Sequence, residues 1–298
     1  MTKFWQLAFE GFSLGCVYAL IALGFTVIYR SSAVINFAQG SMLLIAAYLI
    51  SWLTVNEGVP FFVSMLISIA MLAAAAVGFQ AAVLRRVRRM LEQPIFTVVM
   101  ITIGLSITLT AAVDAIWGPQ QRLLGDPWGS SAVHAAGVVF NWDKLWAIIF
   151  VAVIVAGFYA FDRYSRYGLA TRATAADEEA ALAVGIPVMR IHALAWGVAG
   201  SLAVVAGLFL AGFPNSPNPA LGNSALLAFP AIILGGLESP LGAVVGGIVI
   251  GLVQLLTQGY EPGWLGNNFY EVAPYVVMII VLLIRPYGLF GARPVERL

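Results

Sequence analysis

Residues able to do chemistry inside a bilayer are few in this 298-residue chain. Carboxylates within the long apolar runs are confined to Glu10, near the start of the first run, and Asp114, near the end of the fourth. Buried charge in a membrane is costly and commonly functional, but both acids sit where a helix meets the interface. Gly11-Phe12-Ser13-Leu14-Gly15 has the spacing of a hydrolase nucleophile elbow, which requires a strand–turn–helix setting and a positioned histidine. Here it lies in an apolar helix, so Gly11-x-x-x-Gly15 reads as a helix-packing face. Gly242-x-x-x-Gly246 and Gly247-x-x-x-Gly251 read the same way. His134 and His192 are far apart and do not form an H-E-x-x-H zinc motif. The single Cys16 supports neither a disulfide framework nor a thiolate metal site. A phosphate loop needs Gly-Lys followed by Ser or Thr. The only lysines, Lys3 and Lys144, do not follow a glycine. The chain is therefore expected not to be an enzyme and to bind no cofactor itself. If ATP drives it, another subunit must hydrolyse the ATP.

Three stretches remain. In Asn36-Phe37-Ala38-Gln39-Gly40-Ser41 polar side chains enter an apolar helix. Ala225–Gly236 is apolar but only about half a membrane thick at the usual rise per residue, and it ends in Gly235-Gly236-Leu237-Glu238-Ser239-Pro240. Broken helices at membrane depth are tolerated where protein or a water-filled cavity satisfies the backbone. Asn36, Gln39, Ser41, Gly235, Gly236 and Ser239 are accordingly candidates for a substrate path, against the simpler reading that both places are helix ends at the interface. The third stretch, Arg172 to Ile186, is alanine-rich with Asp177, Glu178 and Glu179. Thr174 to Asp177 offers an N-terminal cap, the acids suit the positive end of a helix, and Gly185 and Pro187 stop it. A short helix with small side chains in water suits insertion into a groove of another protein.

The elements that must position these residues follow from composition. The chain is 61% hydrophobic and 10% charged, against about a quarter charged in soluble domains. That deficit defines an all-α polytopic membrane protein. A net charge of +1 gives no reason to expect nucleic acid. A spanning helix takes about 20 apolar residues. Runs at about Leu7–Ile28, up to Val55, Pro60–Leu84, Pro94–Trp117, Lys144–Phe161, Ile191–Phe213, Leu241–Leu256 and Val272–Ile284, with the short 225–236 segment, give 8–9 membrane segments. One domain covers 1–298: a first helical block 1–117, an external loop 118–143, a linking helix 144–161, a cytoplasmic loop 162–190 and a second block 191–298. Arginines at 85–89, in 163–190 and in the tail should be cytoplasmic. This puts Arg30 inside and the N-terminus outside, although Lys3 runs against the rule. The N-terminal run is too long for a signal peptide and is read as the first helix. A polar loop followed by Ser41-Met42-Leu43-Leu44, and another followed by Ser224-Ala225-Leu226-Leu227, suggest two inverted four-helix repeats.

At these residues a family resemblance enters. Asp177-Glu178-Glu179-Ala180-Ala181 with Gly185-Ile186 resembles the coupling loop of ATP-binding-cassette importer permeases. Ile35-Asn36-Phe37-Ala38-Gln39-Gly40, Leu234-Gly235-Gly236, Gly242-Ala243-Val244-Val245-Gly246-Gly247 and Arg285-Pro286-Tyr287-Gly288-Leu289-Phe290 resemble the branched-chain amino acid permease family, and the likeness covers the whole chain. In length and shape it resembles the first of the two paired permeases. Gln39, where the family often has histidine, and Glu238 in the Gly-rich turn depart from it. The resemblance implies a second permease subunit, two cytoplasmic ATPase subunits that hold the ATP and magnesium, a periplasmic substrate-binding protein and a bacterial inner membrane. Under it Arg172, Asp177, Glu178, Glu179, Ala180, Ala181, Gly185 and Ile186 transmit motion, with Arg172 and Arg190 set against ATPase acids or lipid phosphate. Two other classes stand beside this one. An ion-coupled carrier acting alone is disfavoured by the lack of mid-helix charge, and a membrane enzyme by the lack of a nucleophile, base and metal set.

Overall fold

The computed structural model describes residues 2–90, 95–124, 128, 132–135, 138–212, 216–219, 221–261 and 268–291. Pro94, Pro214, Asn215, the tail arginines Arg293 and Arg297, and the side chains of Arg88, Arg89 and His134 lie outside what is described. The elements are α1 (Thr2–Ser32), α2 (Gln39–Ser51), α3 (Phe61–Phe79), α4 (Arg85–Met90), α5 (Ile95–Trp117), β1 (Ala132–Ala135), β2 (Val138–Asn141), α6 (Trp142–Tyr164), α7 (Arg166–Ala176), α8 (Glu178–Ala183), α9 (Val188–Leu210), α10 (Leu221–Ser224), α11 (Phe229–Gly235), α12 (Pro240–Tyr260) and α13 (Phe269–Ile284). A π-turn, Trp52–Asn56, extends α2, another joins α3 to α4, and a 3₁₀ turn, Ala225–Ala228, joins α10 to α11. Among the described residues, seven helices are long and apolar enough to cross a membrane, and the 225–235 and 269–284 helices are shorter. The chain is a multi-pass membrane protein. One feature had no signal in the sequence: β1 and β2 pair antiparallel within the 118–143 insertion.

Helices in lipid gain little from hiding apolar surface from one another, so they associate where small residues let backbones close up. α1 packs on α12 in this way. Gly11 and Gly15 lie against Gly251, Leu252 and Ile248, and Gly247 lies against Ala19. Across this seam the buried Tyr18 hydroxyl donates to Gln254 Oε1 at 2.8 Å. α9 packs on α3, with Gly200 against Leu72 and Ala76. These two seams are related by the expected repeat. If α1 corresponds to α9, α2 to α10–α11, α3 to α12 and α5 to α13, then α1 with α12 is the image of α9 with α3. The pairs α2 with α9 and α1 with α11, and α2 with α5 and α11 with α13, follow the same rule. α1 and α9 form the centre, buried along most of their length, with Trp196, Tyr18 and Tyr48 among the fully buried side chains.

Charge sorts the two ends. Arg30, Arg85, Arg86, Arg163, Arg166, Arg172, Arg190 and Arg285 lie at one end, which the positive-inside rule makes cytoplasmic. At the other end Lys144 pairs with Glu10 at 3.3 Å, Arg122 donates to the Trp117 carbonyl at 2.8 Å, and Lys3 lies 5.2 Å from the Tyr260 ring centroid. Lys3 and Lys144 are thus engaged at the external end.

Candidate functional site

Both helical breaks lead to the same depth. α1 ends in Ala33, whose φ of +52° is in the left-handed region and whose N–H donates to Tyr29 O at 2.6 Å. The chain then runs inward from the cytoplasmic end, and α2 begins only at Gln39. From the other side, α9 ends at Leu210 and the next helix, α10, begins at Leu221. The starts of these two partial helices touch, Gly40 against the Gly222 carbonyl. Their depth can be read from α5. The Ser41 hydroxyl lies 2.7 Å from Ser106 Oγ, 3.0 Å from Ser106 O and 3.1 Å from Thr110 Oγ1. Ser106 is the central residue of the 23-residue α5. The meeting point is therefore near mid-membrane.

A small cavity of about 90 Å³ lies there. One wall carries the hydroxyls of Ser41, Ser106 and Thr110. The facing wall is apolar: Phe25 of α1, Phe37 of the first break and Phe229 of α11. Phe229 holds the aromatic group together, edge-on to Phe25 at 5.3 Å and stacked on Phe37 at 5.7 Å. Among the described residues the lining carries no ionised side chain. Hydroxyls both donate and accept, so they can meet an ammonium or a carboxylate. The first turn of α2, whose Gly40 and Ser41 line the cavity, adds the positive end of a helix. The aromatic wall suits an apolar body.

The sequence candidates divide around this cavity. Ser41 lines it. Asn36 and Gln39 do not: they are 0% and 1% exposed. Asn36 Nδ2 donates to Gln39 Oε1 at 3.4 Å, Asn36 Oδ1 accepts from Ala38 N at 3.0 Å, and Gln39 Nε2 donates to Ala199 O at 3.2 Å. Their amides replace the backbone partners lost at the break. Gly235 and Gly236 lie at the cytoplasmic end of α11, where Gly235 presses on Gly242 and Gly236, at φ +101°, meets Gly291. Ser239 caps α12 by accepting from Gly242 N at 3.0 Å. Ser106, Thr110, Phe25 and Phe229 are among the lining residues the sequence reading missed. Among the described residues no three His, Cys, Asp or Glu side chains are grouped to hold a metal.

Residues 7–282 match the family described as branched-chain amino acid transport system / permease component. The chain belongs to that family. Over 99% of its length it is 32% identical to the high-affinity branched-chain amino acid transport system permease protein LivH of Salmonella typhimurium, covering 97% of that protein. It is 28% identical to the corresponding permease protein BraD of Pseudomonas aeruginosa, over 98% of this chain and 97% of that one. A chain of the PsaBC complex of Streptococcus pneumoniae with a Fab superposes with a TM-score of 0.49 at 18% identity, over 95% of this chain and 92% of that one.

The second candidate surface of this permease is the 172–186 stretch. Here it forms parts of two helices. Ser165 caps α7 by accepting from Gly168 N at 2.9 Å, so Arg172 and Thr174 lie within α7. Asp177, not Thr174, caps α8, accepting from Ala180 N at 3.0 Å. Ile186 N donates to Ala181 O and Gly185 N to Leu182 O, both at 3.0 Å, with Gly185 at φ +85°. This double closure is a Schellman end, which favours glycine at the left-handed position. Ala181 is 3% exposed and seats α8 on the protein rather than facing outward. Arg172 is likewise turned inward. It pairs with Asp162 at 3.4 Å, which also holds Arg30 at 3.1 Å. Glu179, Ala180, Leu182, Val184 and Arg190 are exposed.

Proposed function

We propose that this chain is the membrane-spanning permease subunit of an ATP-binding-cassette importer for branched-chain or related hydrophobic amino acids. The observation that carries the reading is the mid-depth cavity between two helical breaks, hydroxyls on one wall and aromatic rings on the other. It offers dipoles to a zwitterion and an apolar wall to its side chain. The relatives' names point to the same solute class. ATP and magnesium belong to two partner ATPases, since the chain has no Gly-Lys phosphate loop. A second permease completes the pore, a periplasmic binding protein delivers the solute, and the assembly sits in a bacterial inner membrane, in contact with lipid.

The coupling route starts at α8. Leu182 and Val184 are exposed apolar side chains on a rigid, water-facing knob, at 53% and 77% exposure, and such knobs fit grooves. Movement of α8 moves α7. Arg172 of α7 and Arg30 of α1 share the Asp162 carboxylate, so α7 pulls on α1. Phe25, which lines the cavity, is only five residues, or about 7.5 Å, up the same helix. A second tie reaches Phe229, on the same aromatic wall. Leu289 N and Phe290 N donate to Leu234 O and Gly235 O at 2.8 and 3.1 Å. These bonds fasten the cytoplasmic end of α11, whose other end carries Phe229.

The test is reconstitution in vesicles with the partner subunits and binding protein, measuring labelled leucine uptake. Uptake requiring both ATP and binding protein supports the reading. Uptake by this chain alone under a sodium or proton gradient would replace it with an ion-coupled carrier.

A further inference from the structure

The turn between α11 and α12 and the segment after α13 are fastened together at the cytoplasmic end. Leu289 N and Phe290 N donate to the last carbonyls of α11. Gly236 lies against Gly291, and Gly288, at φ +78°, lies against the Ile233 carbonyl. Between turn and segment opens a cavity of about 180 Å³, whose lining includes Tyr29, Leu237, Glu238, Leu282, Pro286 and Tyr287. Ordinary small-molecule sites take about 300–1,000 Å³, so this one suits a single side chain rather than a free metabolite.

Among the described residues the lining carries one charge, the Glu238 carboxylate. Glu238 is exposed, and no ion pair or hydrogen bond among the described residues engages its carboxylate. The nearby arginines are committed elsewhere: Arg285 donates to Leu289 O at 3.3 Å, and Arg30 pairs with Asp162. Tyr29 and Tyr287 bring rings to the same cavity, and Tyr287 is 48% exposed. A carboxylate flanked by aromatic faces fits a guanidinium, which forks onto an acid and stacks on a ring. Tyr and Arg are also the residue types enriched where protein interfaces bind most strongly.

The position of the cavity points to the source of that guanidinium. Glu238 also borders a larger cytoplasmic cavity, of about 590 Å³, whose lining includes Ala176 and Asp177 at the α7–α8 joint. A protein seated on α8 is therefore within reach of the 236–240 turn. Lipid fits less well, because the cytoplasmic leaflet is negative at its surface and repels a carboxylate. We propose that the smaller cavity receives an arginine side chain of the partner ATPase, held by Glu238 and stacked on Tyr29 and Tyr287, as a second coupling contact beside α8. This rests on the importer reading above. Its effect is mechanical. Leu289 and Phe290 tie the segment to α11, so a grip on it acts on Phe229 while α8 acts on Phe25.

The test titrates the transporter's ATPase subunit onto the paired permeases in lipid nanodiscs, with this chain native or substituted, at low and high salt. Melting temperature checks the fold. Glu238→Gln should weaken binding about tenfold or more, the ordinary value of one charge-assisted hydrogen bond, and leave the melting temperature unchanged because the side chain is exposed. The loss should fade near about 1 M salt, where exposed charges are screened. Combined with Val184→Ser on α8, the two losses should multiply, as for separate contacts. Glu238→Arg should bind more weakly still, and exchanging one ATPase arginine for glutamate should restore it. An unchanged titration for Glu238→Gln, a loss reproduced by Arg293→Ala in this chain's own tail, or a loss that follows the phosphatidylethanolamine content of the nanodisc overturns the proposal. A native complex that binds the ATPase but takes up no leucine in vesicles overturns the importer reading alone, and a native chain that binds no ATPase overturns both.

Discussion

The contact between the two partial helices can be tested with one methyl group. Gly40 lies in the first turn of α2 and against the Gly222 carbonyl of the second break. A Cβ at Gly40 would overlap that oxygen at well under 3.0 Å and approach Ala225 Cβ to 3.0 Å, where ordinary contact begins at 3.4 Å. The obstacle is backbone, so it cannot rotate away, and the helices must part by several tenths of an ångström. Overpacking of this kind costs about 1–3 kcal/mol, and the helix-propensity gain of alanine over glycine, at most about 1 kcal/mol, offsets part of it. Gly40→Ala should therefore lower stability by roughly 1–2 kcal/mol. It should also reduce leucine uptake far more, because the added methyl lies in the lining of the mid-depth cavity and shifts its walls. Gly104→Ala is the control: it lies on α5, two residues from Ser106, with nothing within 4 Å of its Cβ. That substitution should leave uptake unchanged and stability equal or slightly raised. Thermal unfolding of both variants in detergent, with uptake in reconstituted vesicles, decides the matter. Native uptake and melting temperature in Gly40→Ala would refute the convergence of the two breaks.

Three further substitutions probe the remaining links. Thr110→Val with Ser106→Ala removes two cavity hydroxyls but leaves Ser41 its bond to the Ser106 carbonyl; two neutral hydrogen bonds are worth about 1–3 kcal/mol, so leucine uptake should fall roughly 5- to 150-fold with the melting temperature little changed. Gly185→Ala forces a side chain into the left-handed region at about 1–2 kcal/mol, fraying the end of α8; co-purification with the ATPase should weaken, and Val184→Ser should weaken it without affecting the fold. Asp162→Asn deprives Arg30 and Arg172 of their shared anion and should cost about 1–3 kcal/mol; the reading expects a larger loss in the coupling of ATP hydrolysis to uptake than in hydrolysis itself, and an equal loss in both would leave the Arg172–Asp162–Arg30 route without support.

How much was legible depended on whether a residue broke a pattern. The membrane segments were legible because lipid imposes length and apolarity together. The second break was expected at the Gly235–Pro240 turn, which lies at the cytoplasmic end of α11, and it falls instead between α9 and α10. The first was legible because Asn36 and Gln39 interrupt an apolar run. Their roles were not, because a buried amide that satisfies another amide looks in sequence like one that awaits a ligand. Ser106 and Thr110 escaped notice for the opposite reason. A hydroxyl on a membrane helix commonly bonds its own backbone, as Thr108 does with the Gly104 carbonyl, and only the fold brings Ser41 to these two. Phe25 and Phe229 are indistinguishable in sequence from lipid-facing side chains. The Arg172–Asp162 pair was not legible, because an arginine at a membrane surface usually faces phosphate and Asp162, ten residues earlier, is brought alongside only by the turn at Ser165.

The repeat explains why the breaks meet where they do. Two blocks of opposite orientation that exchange packing partners, α1 with α12 and α9 with α3, send equivalent connections in from opposite sides of the membrane. The connection after α1 enters from the cytoplasm and the one after α9 from outside, and each replaces about half a helix. Equivalent segments related by an axis in the membrane plane can meet only near the midplane, which is where Ser41 finds the centre of α5. One consequence is mechanical. Phe25 and Phe229 of the aromatic wall belong to different halves. The Phe25 side is tied to the cytoplasmic joint through Arg30 and Asp162, and the Phe229 side through the bonds from Leu289 and Phe290 to the end of α11. Both ties end at the cytoplasmic face, beside α8. A push there reaches both Phe25 and Phe229, which is what an importer powered from the cytoplasm requires.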